Sequence, residues 1–69
     1  VLPHQSKEWQ IWAYSTAAPS FIGNSATVLD QNNDVLRPGT NGWTCMPGNA
    51  RPMPEAGWQD AHQAMPVCA

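Results

Sequence analysis

Asp30, Asn32 and Asp34 stand at the first, third and fifth positions of a stretch that could begin a calcium loop. Such a loop needs Gly at its sixth position and a bidentate Glu at its twelfth. The chain carries Val35 and Asn41 there, so the stretch reads as a polar turn. Met46, Met53, Met65, His4 and His62 supply soft and borderline ligands, a set that suits copper better than zinc. His62 and Met65 lie three apart on a predicted helix and could face one ion. The set Met46, Met53, His62 and Met65 is therefore the alternative to an assignment with no metal and no cofactor. No Cys-x-x-Cys pair points to zinc.

Ser15, Ser20 or Ser25 could be paired on paper with His4 or His62 and an Asp. Any chain offers such combinations, and no Gly-x-Ser-x-Gly elbow is present. Glu8, Glu55 and Asp60 could form a carboxylate pair for glycoside hydrolysis. With 69 residues, little chain is left to wall a pocket and support it. The residues predict no catalytic site, and the protein reads as a non-enzyme.

The elements that must carry these residues are short. The chain has seven Pro, five Gly and four Trp, and only 12% of its residues are charged, about half the usual share of roughly 25%. The three basic residues, Lys7, Arg37 and Arg51, are scattered, so no basic patch exists for a phosphate backbone and nucleic acid is not an expected partner. No apolar run approaches the ~20 residues of a membrane span. Two cysteines in a small Trp- and Pro-rich chain predict one disulfide, Cys45 to Cys68, and an oxidising compartment, periplasmic or extracellular. The chain starts at Val1 and stops one residue after Cys68, so a removed leader or a longer parent chain is expected.

Residues 1–5 read as an extended arm. Ser6 is an N-cap candidate with Glu8 in the first turn. Residues 7–18 have helical periodicity, with Trp9, Trp12, Ala13, Thr16 and Ala17 on one stripe and Ile11 and Tyr14 beside it. Pro19 stops that helix. Residues 26–29 and 35–37 form a β-hairpin around the 30–34 turn. After the Pro38-Gly39 and Asn41-Gly42 punctuation, residues 43–45 form a third strand, giving a small antiparallel meander. Residues 46–54 are a Pro-rich loop. Residues 55–65 form a second helix with Trp58, Ala61, His62 and Met65 as its stripe, weakened at Gly57 and stopped by Pro66. The predicted class is α+β, one domain over residues 1–69, with the loop and second helix tied back by the disulfide.

The segments Ala26-Thr27-Val28-Leu29-Asp30, Val35-Leu36-Arg37 and Thr40-Asn41-Gly42-Trp43-Thr44-Cys45 carry a resemblance. Together with the Pro-rich loop and the second Cys, they resemble a group of small, uncharacterised, exported bacterial proteins. The resemblance covers roughly residues 15–69. It implies export and a disulfide, and it implies no activity. Members of that group continue past the second Cys into a Trp- and Met-rich helical segment.

The tryptophans carry the functional expectation. Trp43, beside Cys45, and Trp58 are expected to fill the core. Trp9, Ile11, Trp12 and Tyr14 spread apolar surface around more than half of the first helix, more than a small domain can cover. Trp and Tyr are favoured anchors in protein interfaces. These four are the predicted partner-binding residues of a non-catalytic accessory module that docks on another protein or a larger assembly. The alternative is a periplasmic ligand binder, taking copper through Met and His or a glycan through Trp.

Overall fold

A computed structural model describes residues 3–69. The protein is α+β: one helix lies across a four-stranded mixed sheet. Helix α1 (Lys7–Ser15) starts where the Ser6 Oγ accepts the Trp9 N–H at 3.2 Å, which satisfies a donor that no helical carbonyl can reach. It ends three residues earlier than its periodicity predicts. The Ser15 and Thr16 hydroxyls donate to the carbonyls of Trp12 and Ala13. The backbone tightens to i→i+3 bonds through Ala18. A four-residue helix, α2 (Ser20–Gly23), follows Pro19.

Strands β1 (Thr27–Leu29) and β2 (Val35–Arg37) form the expected hairpin. Its tip is held by the Asp30 carboxylate, which accepts the Asn32 and Asp34 N–H groups at 2.8 and 3.0 Å, and by Asn33 at a positive φ of 64°. Asp30 thus spends one carboxylate oxygen on its own loop, as a polar turn requires. Leu36 is the extra residue of a bulge: Leu29 pairs with Val35, and Val28 with Arg37.

The third strand corrects the meander. Strand β3 (Thr44–Pro47) pairs with β1, in parallel, and not with β2. Strand β4 (Pro66–Cys68) then pairs antiparallel with β3, giving the order β2-β1-β3-β4. Parallel neighbours need a crossover connection. Here residues 38–43 supply its last part by passing over the start of β1. The Thr40 N–H donates to the Ser25 carbonyl, and the Gly39 N–H to the Thr27 hydroxyl. The approach is so close that a Cβ on Gly39 would lie 2.1 Å from the Thr27 nitrogen, which only Gly permits.

The second predicted helix is also corrected. Residues 55–61 are turns, and only His62–Ala64 is helical, as a single 3₁₀ turn. Gly57 has a φ of +91°, and a Cβ there would meet the His4 backbone at 2.4 Å. The N-terminal segment packs where a helix would have to pass. The Asp60 carboxylate accepts the Gln63 N–H, so helical structure begins only after it.

The core is Trp9, Ala13, Tyr14, Val28, Trp58 and Ala64, with Ile11, Leu36, Met53 and Ala61 packed at its edge. Cys45 and Cys68 face each other across β3 and β4 and form the predicted disulfide. Their neighbours Thr44 and Ala69 exchange both backbone hydrogen bonds. The cysteines therefore occupy a non-hydrogen-bonded pair, where facing side chains come closest.

Candidate functional site

The face that α1 turns to the sheet is not the predicted one. Trp9, Gln10, Ala13 and Tyr14 are buried, and Trp12 is 56% exposed. The reason is Gln10, a polar residue that shares the buried face. Its amide is fully used: Nε2 donates to the Gln5 carbonyl at 2.8 Å, and Oε1 accepts the Tyr14 hydroxyl at 3.1 Å. The Tyr14 oxygen in turn accepts the Trp58 Nε1–H at 3.1 Å. A buried amide with both ends bonded carries no desolvation penalty of the unpaired kind. Its burial rotates the helix, placing Trp9 and Tyr14 in the core.

Of the four predicted partner-binding residues, Trp12 alone is fully on the surface. Ile11 is half-buried against the core, and Trp9 and Tyr14 are covered. Trp9 also stacks on the His4 ring, with centroids 4.2 Å apart. His4 Nδ1 contacts the Trp58 carbonyl. A carbonyl only accepts, so this nitrogen carries the proton. His4 therefore clasps the N-terminal segment to the Trp58 loop, and neither Ser15, Ser20 nor Ser25 is hydrogen-bonded to it.

Trp43, expected in the core, is 41% exposed, whereas Trp58, at 2%, fills it as predicted. Phe21 on α2 is 78% exposed. The surface therefore carries three large aromatic rings, on α1, on α2 and just before β3.

A groove of about 620 Å³ runs between the end of α1 and the β4 edge, lined by Thr16, Ala17, Ala61, His62, Met65, Pro66 and Val67. His62 and Met65 both line it, although the helix predicted to align them does not form. Met46 and Met53 do not line it. Met46 sits on β3 opposite Val67, and Met53 packs on the core. Among the described residues, no three His, Cys, Asp or Glu gather as a metal-binding group.

Gln31 had no signal in the sequence beyond its place in a turn. Its Oε1 accepts the Met53 N–H at 2.7 Å, and its Nε2 donates to the carbonyls of Arg51 and Asn49. This one side chain pins the Pro-rich loop to the hairpin tip. Arg37 does similar work, donating to the carbonyls of Gly23 and Ala26 and so holding α2 to the sheet.

Burial pushes the Tyr14 hydroxyl above its ordinary pKa of 10.0. The Trp58 hydrogen bond offsets part of this, and the nearby Asp30 charge adds to it. The folded form therefore holds the phenolic proton more tightly than the unfolded form. Above the unfolded value the folded state binds more protons, so stability falls as pH rises. We expect a stability that this group leaves unchanged below about pH 10 and lowers through the folded-state pKa. Tyr14→Phe should flatten that alkaline decline while lowering stability at pH 7 by about 1–3 kcal/mol, through the unpaired Gln10 and Trp58 groups. Urea melts across pH 7–11 measure both effects. An equally steep alkaline decline in Tyr14→Phe would refute the assignment.

The fold and surface thus define a small disulfide-tied α+β domain with an aromatic-bearing exterior. Compared with known protein families, curated proteins and solved structures, the chain matches none of them. Among the described residues, no helix is long and apolar enough to cross a membrane.

Proposed function

We propose that the protein is a non-catalytic, exported accessory module that docks on another protein through the exposed ring of Trp12. The observation that carries this reading is an indole 56% exposed on a helix whose opposite face already fills the core with Trp9 and Tyr14. Folding needs Trp9, Tyr14 and Trp58; it leaves Trp12 in water, where a large apolar ring favours association. The Cys45–Cys68 disulfide supports a periplasmic or extracellular address, because such bonds persist in oxidising compartments.

Native mass spectrometry of the protein isolated from its source without reductant tests the reading. The expected result is a larger assembly containing the oxidised chain. Trp12→Ala should weaken that assembly by at least about 30-fold, the size of an interface hot spot. It should change folding stability by less than about 1 kcal/mol, since the ring is more than half exposed and its aromatic contact is the tilted one with Trp9. An assembly that survives Trp12→Ala overturns the proposal.

The groove favours a second reading, a periplasmic binder of a soft ion. The Met65 thioether and the His62 imidazole are donors that suit Cu(I). A stoichiometric Cu(I) complex that Met65→Leu abolishes, in a protein found alone in its source, would put this reading first.

A further inference from the structure

Asn41 and Asn49 occupy the same kind of hydrogen-bond setting. The Asn41 Oδ1 accepts the Trp43 N–H at 3.1 Å, and its Nδ2 donates to the Ile22 carbonyl at 2.9 Å. The Asn49 Oδ1 accepts the Arg51 N–H at 2.9 Å, and its Nδ2 donates to the Gln63 carbonyl at 2.8 Å. Each side chain thus bonds the backbone two residues on and reaches a distant segment. What differs is the next residue: Gly42 after Asn41, Ala50 after Asn49. Asn41 and Gly42 are both exposed. Gly42 has a φ of +79°, and a Cβ placed on it would meet nothing within 4 Å. Among the described residues, the Gly42 N–H has no hydrogen-bond partner, so its nitrogen is free to react.

We propose that Asn41-Gly42 is a self-modification site, at which Asn41 converts to aspartate and isoaspartate and so releases α2 from the crossover turn. The Gly42 amide loses its proton to solvent base, and its nitrogen attacks Cγ of Asn41. The Cγ–Nδ2 bond breaks, and Nδ2 takes a proton from water and leaves as ammonia. The five-membered imide then adds water. Opening at Cγ gives aspartate on the normal backbone, and opening at the Asn41 main-chain carbonyl gives isoaspartate. Water is the only co-reactant, and no electrons change hands.

The Trp43 N–H on Oδ1 favours the first step, because it stabilises the charge that builds on that oxygen. The lack of a Cβ at Gly42 leaves the attacking nitrogen unshielded. Asn49 has the same stabilising bond and a shielded neighbour. The product has a structural effect of its own. A carboxylate at position 41 has no N–H for the Ile22 carbonyl, and its oxygen faces that carbonyl unfavourably. The segment of α2 and the residues after it would keep the hydrogen bonds from Arg37 to the Gly23 and Ala26 carbonyls and from the Thr40 N–H to Ser25.

The test incubates the intact oxidised chain at mildly alkaline pH and maps conversion at all five asparagines, Asn24, Asn32, Asn33, Asn41 and Asn49, by peptide mass and isoaspartate detection. Conversion at Asn41 should run at least about tenfold faster than at Asn49. Gly42→Ala should bring it down to the Asn49 rate. Converted protein, and the Asn41→Asp variant, should show roughly fivefold faster hydrogen exchange at the Gly23 and Asn24 amides, the size of one lost hydrogen bond. Equal rates at Asn41 and Asn49 overturn the site. So does an Asn41 that stays intact in the folded chain yet converts once the chain is reduced and unfolded in urea. Unchanged exchange in both converted protein and Asn41→Asp overturns the release of α2.

Discussion

Replacing Trp58 with Ala is expected to lower stability by about 3–5 kcal/mol, the largest effect of any single side chain here. A domain of this size has a total stability near the low end of the usual range of about 5–15 kcal/mol, so the variant should keep only about 0–2 kcal/mol and show a measurable unfolded fraction at room temperature. Two losses combine. The indole is 2% exposed and packs among Trp9, Ala13, Tyr14 and Ala64, so its removal leaves a cavity that the short elements around it cannot close. Its Nε1–H also donates to the Tyr14 hydroxyl, at the head of the chain that runs through Gln10 to the Gln5 carbonyl.

Trp58→Phe separates the two effects. It keeps most of the apolar volume and removes the donor, and should cost about 1–3 kcal/mol. Urea melts followed by far-ultraviolet circular dichroism check both variants, since removing an indole disturbs fluorescence itself. A Trp58→Ala protein with an unchanged midpoint would show that the loop of residues 55–61 does not anchor the core.

Removal of the Cys45–Cys68 bond is expected to cost roughly 3 kcal/mol through the entropy of the unfolded chain, given the 23-residue separation. The bond also holds β4, a three-residue edge strand whose Pro66 has no N–H to give to a ladder. Cys45 is wholly buried. The paired change Cys45→Ala/Cys68→Ala therefore tests the cross-link without burying a hydroxyl. Oxidised protein, reduced protein and the double variant should rank in that order or with the last two equal, and the oxidised midpoint should stand well above both. Equal midpoints for oxidised and reduced protein would mean that the ladder and the α1 packing hold β4 alone. Hydrogen exchange would locate the loss, expected first at residues 62–69, which contribute the wall of the groove.

Local features were legible in the sequence. The Ser6 cap, the first helix, the 30–34 turn between two strands and the cysteine pairing all follow from residue types a few positions apart, or from having only two cysteines. Trp58 fills the core as its residue type predicts, although the helix predicted around it does not form. Its ring reaches the core and its Nε1–H reaches the Tyr14 hydroxyl from a turn, so burial here does not need a helical backbone.

Other features depended on contacts distant in sequence. Strand adjacency suggested that β3 would follow β2 antiparallel. Gly39 instead carries the chain over the start of β1, and nothing local to residues 38–43 announces which strand they will cross. In the sequence Gly57 is a weak point in a helix; in the fold its left-handed backbone makes room for the His4 segment, more than fifty residues away.

The candidate site divides along the same line. Helical periodicity in a 69-residue chain determined that the first helix would carry more apolar surface than the domain covers, and the presence of just two cysteines determined how its C-terminal part is tied. Which rings stay outside was decided by tertiary structure, through a polar residue. Gln10 is buried because its amide finds the Gln5 carbonyl and the Tyr14 hydroxyl, and Tyr14 finds Trp58, 44 residues further on. A periodicity argument counts Gln as an outward residue because it cannot see those partners. Once they are in place, burial of the amide costs little, α1 turns its Trp9 and Tyr14 face inward, and Trp12 is left to water.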